Sequence, residues 1–538
     1  MVILDRTDYI SKLEGVVQDE TKFKRLKDDP TDSREGKLQR YLYSLKKKGV
    51  LEQETYNKLR PSGSKPARMY GLPKIHKDGT PIRPIVSCIG TYTYNLAKFL
   101  VEILKPLCDS TYTVQDSFTF AKEIQSTSAP FMVSFDVSNL FTNVPLQETI
   151  EICLDKLFHD TDTVRNLTRD QLKRLLTVAS KENHFLFNGM IYDQIDGVAM
   201  GSPLGPVLAN IFMSHLEKHA LVTYQGQKPL FYKRYVDNIF LVFSSSADVS
   251  LFFQWMNAQH PQIRFTLEEE QDDKISFLDV LVSRQTDGKL LTSVFRKPTF
   301  SGLYLRWDSF VPKMFKRGLV YCLVSRAWRL CSNYHLFHEE LLFIKNVLLS
   351  NGYPGNFVDS CVQRFLNRAM GTNTTSTIFG PERMKIYLSL PYAGLSSMKL
   401  CRQLKRIYKA VLPCVELLVI FKPSCKLNRL CKLKSSYPRL TCSNVIYKVN
   451  CKDCSDFYVG LTTRRLDQRM KEHASSDYSA LFKHQLETGH SIGFDLPDVL
   501  ASDVCKTRLF IKESLKILEL KAFKSLNGNQ GSFELKLW

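Results

Sequence analysis

Alternating apolar and polar positions predict a β-hairpin near the middle of the chain. The stretch F-Y-K-R-Y-V-D-N-I-F-L-V-F, from Phe231 to Phe243, sets one acidic residue, Asp237, between two apolar and aromatic arms. Asx residues tolerate turn geometry, which favours a turn at Asp237-Asn238 in a purely structural strand pair. Alternatively, the tip presents a carboxylate to a metal ion, held as rigidly as two-metal phosphoryl transfer requires. A second carboxylate and a nucleotide pocket elsewhere would favour the metal site.

A second hairpin is predicted from Tyr70 to Ser87, Y-G-L-P-K-I-H-K-D-G-T-P-I-R-P-I-V-S. Two extended arms flank an Asp78-Gly79 turn, which is a hairpin signal. Basic side chains crowd this ribbon, namely Lys74, Lys77 and Arg83. It is either an exposed basic hairpin or a cover over a triphosphate, held by lysine point charges and an arginine fork.

The stretch F-M-V-S-F-D-V-S-N-L-F-T-N-V-P, from Phe131 to Pro145, supplies the second carboxylate. An apolar strand ends at Asp136, and the chain then turns into a helix near Pro145. A carboxylate at the end of a strand is exposed and positioned to bind a metal ion. Asp136 and Asp237 are far apart in the sequence, so only tertiary structure can bring them together.

A loop rich in glycine and proline opens a helix between Gly197 and Met213. The helical spacing of Leu204, Leu208, Ile211 and Phe212 predicts an apolar face. A capped core helix explains that face but not the run Met200-Gly201-Ser202-Pro203. Glycine and serine there allow a base pair to approach the backbone closely.

The flanking segments are charged and predicted to be mainly helical. Residues 1–60 open with M-V-I-L-D, which resembles a strand with no visible beginning and indicates a chain that starts within a domain. Residues 300–370 carry basic side chains at helical spacing, which are Lys313, Lys316, Arg317, Arg326 and Arg329. They form either a solvated face or a face that follows a nucleic-acid backbone.

Charge and composition favour a polyanionic partner. The 538 residues include 74 lysines and arginines against 54 acidic residues, a net charge of +20. Nucleic acid is the default partner for such an excess, and neither a signal peptide nor a membrane-spanning apolar run is evident. The 14 cysteines are scattered through a long chain, which favours free or metal-bound thiols in a reducing compartment.

The last hundred residues contain a second set of chemically capable side chains. Val445-Ile446-Tyr447 and Tyr458-Val459-Gly460 predict two short strands, a helix should begin within 461–473, and Glu513 lies on a later helical stretch. A carboxylate that holds one metal, an arginine against the scissile phosphate and a tyrosine that relays a proton form a hydrolytic set.

A Cys-Cys-His-His set lies in the same region. Cys451 and Cys454 form a C-x-x-C motif, and His484 and His490 follow downstream. Two thiolates and two imidazoles would close a tetrahedral structural zinc site. An isolated C-x-x-C motif is weak evidence, and three other cysteines could compete as ligands, namely Cys425, Cys431 and Cys442.

Together the segments of residues 1–370 resemble the palm and neighbouring parts of a reverse transcriptase, and more narrowly the motif set of the Penelope-like retroelements. The similar motifs are Y-G-L-P-K-I-H-K, F-D-V-S-N-L-F-T-N-V-P, D-G-V-A-M-G-S-P-L-G-P, Y-V-D-N, F-L-D-V-L-V and V-F-R-K-P-T. The resemblance implies an α+β right hand of fingers, palm and helical thumb that performs RNA-templated DNA synthesis.

Roles follow from the resemblance by position. Asp136 and Asp237 correspond to the two aspartates that hold Mg²⁺ or Mn²⁺, and Phe141 to the aromatic gate against a ribose 2′-hydroxyl. The remaining nucleotide-binding positions are Lys74 and Arg83 on the triphosphate and Gln194, Gly201, Ser202 and Pro203 beside the nucleotide and template base. Asn238 departs from the family's second aspartate, because an amide keeps a carbonyl ligand but loses a charge. We expect reduced polymerase activity.

Residues 441–538 resemble a GIY-YIG endonuclease domain, although the first triplet is V-I-Y. The motif positions are Tyr447, Tyr458, Gly460, Arg464 and Glu513 as a metal ligand, with Arg469, His473 and Asn527 in support. The Penelope-like family carries a Cys-Cys-His-His finger at the position of Cys451, Cys454, His484 and His490, which implies structural zinc. This nuclease after that polymerase is the Penelope-like arrangement.

The expected organisation is fingers and palm in 1–300, a helical thumb in 301–370, a basic connector in 371–440 and an α/β nuclease in 441–538. The expected function is target-primed retrotransposition in the nucleus, with an RNA template, a DNA primer and target, dNTPs and no membrane. One alternative is a degenerate or domesticated remnant that binds nucleic acid with little polymerase activity. Another is a telomerase-like polymerase, which the fused nuclease disfavours. The oligomeric state stays open.

Overall fold

The computed structural model describes residues 4–75, 79–127, 130–371, 384–422, 437–520, 525–528 and 531. The chain divides into two compact units. Unit 1 comprises Met1–Asp109, Asn139–Glu217 and Leu433–Trp538, and unit 2 comprises Ser110–Ser138 and Lys218–Lys432. The fold is mixed α and β throughout.

The described residues form helices and strands in the following order. The helices are α1 (Arg6–Val17), α2 (Thr31–Lys47), α3 (Gln53–Leu59), α4 (Tyr94–Leu104), α5 (Ser117–Ile124), α6 (Leu140–Asn143), α7 (Leu146–Leu157), α8 (Arg169–Lys181), α9 (Leu204–Thr223), α10 (Ser246–Ala258), α11 (Lys313–Leu330), α12 (Tyr334–Ser350), α13 (Gly355–Ala369), α14 (Leu395–Val411), α15 (Leu466–Ser475), α16 (Ala480–Thr488) and α17 (Lys506–Leu520). The strands are β1 (Phe23–Leu26), β2 (Ala67–Pro73), β3 (Ile82–Ser87), β4 (Phe131–Val137), β5 (Thr163–Val164), β6 (Leu167–Thr168), β7 (Asn183–Phe187), β8 (Met190–Gln194), β9 (Phe231–Tyr235), β10 (Asn238–Phe243), β11 (Phe265–Glu269), β12 (Lys274–Phe277), β13 (Val280–Arg284), β14 (Leu290–Val294), β15 (Met384–Pro391), β16 (Val415–Lys422), β17 (Val445–Asn450), β18 (Phe457–Thr462) and β19 (Asp498–Ser502).

Unit 1 contains a five-stranded sheet in the order β1-β8-β7-β2-β3. The predicted hairpin of β2 and β3 is confirmed, with Tyr70 opposite Ile85, although Asp78 of its predicted turn lies outside the described residues. Residues 1–3 of the predicted opening strand lie outside the described residues, and Asp5 caps α1 by accepting hydrogen bonds from the backbone of Thr7 and Asp8. An aspartate at this position satisfies amides that the first helical turn cannot.

The C-terminal part of unit 1 has a three-stranded sheet in the order β18-β17-β19. The two predicted strands and the helix after them are confirmed as β17, β18 and α15. Apolar side chains cover both faces of this sheet, and Tyr447, Val449 and Leu466 are among those that are fully buried. Burial of one such side chain stabilises the fold by about 1.5–3 kcal/mol.

Unit 2 is built on an antiparallel sheet in the order β11-β4-β10-β9. Alternation along β4 sends Phe135 to one face, against Phe252 of α10, while Phe240 of β10 packs on the other face against Phe120 and Phe277. Both faces are therefore covered by aromatic cores. The strands are fixed in register because a shift of one residue would exchange their buried and exposed positions.

The helices α11–α13 confirm the predicted helical region, but the predicted basic face does not form as one surface. Lys316 is buried and donates a hydrogen bond to the backbone oxygen of Trp307. Arg326 forms an ion pair with Asp279 at 3.3 Å. Both groups therefore have partners within unit 2, as a buried charge such as that of Lys316 requires.

The predicted connector is more ordered than expected. Residues 384–422 fold into a β-α-β unit, in which β15 and β16 pair in parallel and α14 forms the crossover. Parallel neighbours require such a crossover, which explains the helix between them. The basic segment 423–436 lies outside the described residues. No described helix is long and apolar enough to cross a bilayer.

Candidate active sites

A row of polar side chains crosses the four-stranded sheet of unit 2. Asp136 on β4 lies opposite Asn238 on β10 and opposite Thr266 on β11, and Asn238 lies opposite Tyr235 on β9. Directly opposed residues share a face of the sheet. Asp136 and Asn238 are only partly buried, and Tyr235 is 39% exposed. The row is therefore accessible to solvent.

Asp237 lies at the same end of the sheet as Asp136. The backbone oxygen of Asp237 accepts a 2.9 Å hydrogen bond from the amide of Val137, the residue after Asp136. Val137 and Asp237 are therefore a hydrogen-bonded pair of the antiparallel ladder. The next pair, Asp136 and Asn238, is a non-hydrogen-bonded pair, in which the Cα atoms and side chains lie closer together. The predicted meeting of the two aspartate-bearing segments is thus confirmed, and carboxylate oxygens suit Mg²⁺.

The turn between β9 and β10 differs from the predicted one. Its loop residues are Val236 and Asp237, and Asn238 already belongs to β10. Val236 has a φ of 59°, and a β-branched residue in that region stores about 1–3 kcal/mol of strain. The strain persists only because the surrounding contacts fix the turn.

Arg234 is a supporting residue that the sequence interpretation missed. Its side chain is fully buried, and its guanidinium donates a 3.1 Å hydrogen bond to the backbone oxygen of Val236. Backbone bonds to Tyr112 and Val114 fix the same residue. Strand alternation through Tyr232 and Arg234 was the available signal, because it points both side chains inward.

The predicted nucleotide-binding residues lie in unit 1. Phe141 on α6 accepts a 2.7 Å hydrogen bond at its backbone oxygen from Val198, so the gate position is tied to the loop before α9. The amide of Val86 on β3 donates a 2.8 Å hydrogen bond to Met200. The run 200–203 is therefore held between α6 and the basic hairpin. Arg83 is exposed on β3, while Pro203 is partly buried.

Two of these residues support the loop instead of lining an open surface. Gln194 is 4% exposed, and its amide donates a 3.1 Å hydrogen bond to the backbone oxygen of Asp196. Ser202 is 7% exposed and accepts a hydrogen bond from the amide of Leu204, so it caps α9. Lys74 continues the hairpin through a 2.9 Å backbone bond to Pro81.

The predicted nuclease residues converge in the C-terminal part of unit 1. The hydroxyl of Tyr447 lies 2.7 Å from His473 Nε2, and Arg469 Nε donates to the same hydroxyl at 3.3 Å. The Tyr458 ring lies 5.2 Å from the His473 ring and 6.4 Å from the Tyr447 ring. A Cβ at Gly460 would come within 2.7 Å of both tyrosine side chains. Only glycine fits there.

Burial sets the protonation of this cluster. It raises the pKa of Tyr447 well above its ordinary value, although Arg469 opposes the change. Burial, with help from the positive charge of Arg469, lowers the pKa of His473 to about 4. His473 Nδ1 lies 2.8 Å from Ser479 Oγ, which can accept a proton from Nδ1. In that tautomer Nε2 accepts the hydrogen bond from Tyr447.

Arg464 and Glu513 complete the set. The exposed Arg464 forms a two-pronged ion pair with Glu472, at 2.6 and 2.7 Å, and Glu472 also pairs with Arg469. Glu513 on α17 is 7% exposed. Burial is the main cause that raises the pKa of both Tyr447 and Tyr458, and the charge of Glu513 adds to it. Glu472 was missed by the sequence interpretation. Its position on α15, eight residues after Arg464, could have indicated that it pairs with this arginine.

Asn527 braces the strand that carries Tyr458. Its side chain accepts a 2.9 Å hydrogen bond from the amide of Val459 and donates a 2.6 Å hydrogen bond to the oxygen of the same residue. It therefore extends the pairing along this edge of β18, where Phe457 already bridges to Ser525. This contact supports the site without touching the tyrosine hydroxyls.

The four predicted zinc ligands converge in the structure. The ligand atoms of Cys451, Cys454, His484 and His490 lie within 4.8 Å of one another. Tetrahedral zinc separates a sulfur and a nitrogen ligand by about 3.5 Å and two nitrogens by about 3.3 Å. Cys454 Sγ lies 3.5 Å from His484 Nε2, which lies 3.3 Å from His490 Nδ1. The donor set therefore fits zinc.

A carboxylate stands behind this cluster. His484 Nδ1 faces Asp456 at 3.8 Å, an arrangement that orients a metal-binding imidazole. Of the three cysteines that could compete as ligands, Cys442 is described and lies outside the cluster. Cys425 and Cys431 lie outside the described residues.

Two family models match parts of the chain. Residues 75–277 match the model described as reverse transcriptase (RNA-dependent DNA polymerase). They include both aspartates and Asn238 and carry a reverse transcriptase domain, which supports RNA-directed DNA polymerase activity. Residues 303–363 match the model described as animal helix-turn-helix domain, over α11, α12 and part of α13. No curated protein matches the chain significantly.

Several solved polymerase structures resemble parts of the chain distantly. An apo telomerase from Candida tropicalis, truncated from its C-terminal domain, is 13% identical, with 40% of this chain and 53% of that one covered and a TM-score of 0.33. A telomerase from Candida albicans, in complex with a TWJ fragment of telomeric RNA, is 11% identical, with coverage of 61% and 66% and a TM-score of 0.37. A Sicinivirus 3Dpol RNA-dependent RNA polymerase is 11% identical, with coverage of 59% and 71% and a TM-score of 0.41. The chain spans about half to two thirds of the two telomerases.

Proposed function

We propose that this chain is the reverse transcriptase and GIY-YIG endonuclease of a Penelope-like retroelement. It nicks target DNA and uses the freed 3′-hydroxyl to prime DNA synthesis on an RNA template. The observation that carries the proposal is the polar row through Asp136 and Asn238, beside Asp237, within the segment that matches reverse transcriptases. The partners are therefore template RNA, primer and target DNA and dNTPs, and the DNA target places the action in the nucleus.

The polymerase chemistry belongs to the two aspartates. Asp136 and Asp237 would hold Mg²⁺ or Mn²⁺, and the bound ions would activate the primer 3′-hydroxyl and neutralise the leaving pyrophosphate. Lys74 and Arg83 would bind the triphosphate. Phe141 would exclude a ribose 2′-hydroxyl, and the loop through Gly201 would lie beside the nucleotide, with Gln194 and Ser202 supporting its shape.

The nuclease chemistry runs through a protonated tyrosine. Because the pKa of Tyr447 is raised, this hydroxyl is neutral near pH 7 and acts as a relay. It takes a proton from the attacking water while it passes its own to Nε2 of His473. Arg464 neutralises the scissile phosphate, Tyr458 lines the site, and Glu513 would hold one Mg²⁺. The water oxygen bonds to phosphorus as the P–O3′ bond breaks, and the departing 3′ oxygen takes a proton from solvent, which leaves a 5′-phosphate and a free 3′-hydroxyl.

Zinc would have a structural role. Cys451 and Cys454 lie on the connection between β17 and β18, and His484 and His490 lie on and after α16. A bound Zn²⁺ would link these segments, and a site closed by four protein ligands leaves no position for a substrate. It would therefore hold the tyrosine strands against the helices.

A degenerate remnant is the alternative function, and Asn238 is the observation that favours it. The amide removes one negative charge from the metal site opposite Asp136. We expect reduced but measurable synthesis, because Asp136 and Asp237 remain. Such a remnant would still bind nucleic acid through its net charge of +20.

A combined nicking and extension assay tests the proposal. The purified full chain is given supercoiled plasmid, template RNA, dNTPs and Mg²⁺. Asp136→Ala should still nick but should add no nucleotides, whereas Glu513→Ala should lose nicking and still extend a pre-nicked primer. Absence of both activities in the parent protein would favour the remnant, and nicking by Glu513→Ala at the parental rate would refute the nuclease assignment.

A further inference from the structure

The loop that carries Arg464 is held by the N-terminal part of the same compact unit. This loop, Thr463–Arg465, connects β18 to α15. Its last residue, Arg465, has a side chain that is only 8% exposed, and its guanidinium lies 3.0 Å from Asp29 and 2.8 Å from Asp467. Arg465 thus anchors beside Asp29, while its neighbour Arg464 remains exposed.

Asp29 is a fixed acceptor just before α2. The amide of Thr31 donates a 3.0 Å hydrogen bond to it, and the Thr31 hydroxyl lies 2.7 Å from the buried His184. Burial opposes ionisation, but hydrogen bonds with His184 and Thr31 and the charge of Arg465 hold the pKa of Asp29 well below its ordinary value. Asp29 is therefore a charged and rigid partner for Arg465.

Gly63 meets the same loop from a second direction. A Cβ at this position would overlap the backbone oxygen of Thr463 and would lie 2.9 Å from Ser443 Cβ and 3.1 Å from Arg464 Cα. Real Cβ contacts are longer than this, so a side chain at Gly63 must displace the loop. The backbone of residue 63 also has a φ of +62°, which favours glycine.

The segment around Gly63 is rigid because α2 holds it. Glu35 accepts a 2.9 Å hydrogen bond from the amide of Ser64, and Gln39 donates a 2.8 Å hydrogen bond to the oxygen of Pro61. Tyr437 adds a third connection, since its hydroxyl donates to the oxygen of Pro66 at 2.9 Å. The same helix that follows Asp29 thus fixes the surface against which Arg464 lies.

We propose that Asp29 and residues 60–66 form an intramolecular docking surface that positions Arg464 for DNA cleavage. Asp29 and Gly63 are positioning residues, because they act on the loop backbone and on Arg465 and not on the substrate. The catalytic consequence rests on the proposed nuclease function, whereas the docking itself does not. Nicking thereby depends on a segment that precedes the reverse transcriptase match.

A comparison of Gly63→Ala with Gly49→Ala separates the effect of the Cβ contact with the loop from the effect of backbone strain. Both glycines have positive φ, +62° and +73°, but a Cβ at Gly49 would meet nothing within 4 Å. Hydrogen–deuterium exchange of the full chain reports on the backbone amides of residues 463–466. Among them, the amide of Leu466 donates a hydrogen bond to the backbone oxygen of Cys442. Gly63→Ala should speed their exchange by about tenfold or more, and Gly49→Ala should not.

Nicking kinetics give the catalytic readout. Gly63→Ala should lower the single-turnover nicking rate by about tenfold or more, because small displacements of a positioned group slow chemistry strongly. DNA affinity and primer extension should stay at parental values. Asp29→Asn should act in the same direction, and the exposed neighbouring change Asp28→Asn should have no effect.

The outcomes separate the two proposals. Unchanged exchange in Gly63→Ala, or an equal change in Gly49→Ala, would overturn the docking surface whatever the nicking rate. Faster exchange with parental nicking would overturn the positioning role. If the parent chain does not nick DNA and Gly63→Ala still speeds exchange, the docking surface is supported and the nuclease function is rejected.

Discussion

Asn238→Asp adds a second carboxylate to the polar row of the unit 2 sheet, opposite Asp136 and beside Asp237. Residue 238 lies opposite Asp136 in a non-hydrogen-bonded pair, so the two Cβ atoms are about 5 Å apart. Two unit charges at about 5 Å repel by about 1 kcal/mol in water and about 3 kcal/mol at an effective dielectric constant near 20. The row is partly buried, so the repulsion should lie between these values.

Without metal, the variant should therefore be less stable than the parent. Added Mg²⁺ should stabilise the variant more than it stabilises the parent. At about 2–4 °C per kcal/mol, the metal-free melting temperature of the transition that includes this sheet should fall by several degrees. Added Mg²⁺ should remove most of that difference, because the ion neutralises the repulsion. RNA-templated primer extension by the variant should exceed that of the parent.

Thermal melting with and without Mg²⁺, followed by primer extension, checks this reasoning. Asn57→Asp makes the same charge change at an exposed helical position and should show neither effect. Equal melting temperatures for Asn238→Asp and the parent without metal would refute the proximity of the two carboxylates. Strong extension by the variant with none by the parent would refute residual activity in the natural sequence.

Two further predictions concern the C-terminal part of unit 1. The purified chain should contain about one zinc per molecule, and Cys451→Ser should lose it while Cys442→Ser keeps it; zinc retained by Cys451→Ser in metal analysis would reject this ligand set. The pKa of His473 is lowered to about 4, so its contribution to stability is complete above pH 6.5 and declines as the pH falls toward 4. The free energy of unfolding should fall by about 3 kcal/mol over this range. Urea unfolding of His473→Asn should lack that part of the pH dependence. Parallel curves of unfolding free energy against pH for the parent and the variant would contradict the low pKa.

Local patterns along the chain were sufficient for most of the elements. The hairpin of β2 and β3, the strand that ends near Asp136, the helix from Leu204 and the tyrosine strands all follow from alternation, helical spacing and turn residues. These signals depend on neighbours within a few residues. The same information placed the hairpin turn one residue too far along, because a valine at positive φ is not a local preference.

The β-α-β unit at 384–422 shows where local patterns fail. The sequence there indicated a basic connector, yet β15 and β16 pair in parallel along their full lengths. Pairing between strands separated by a helix depends on contacts between distant residues. Propensity within one window therefore cannot reveal it.

Residue chemistry by itself determined the candidate groups of this protein: two aspartates, a tyrosine pair with arginine and glutamate, and a Cys-Cys-His-His set. Tertiary structure alone decided their neighbours. It set Asn238 opposite Asp136, buried Arg234 beneath the strained turn, and brought Gly63 and Asp29 against the loop of Arg464. Composition and spacing fix which atoms can bind or react, whereas long-range register and packing fix which of them meet, and charge, burial and pKa depend on that meeting.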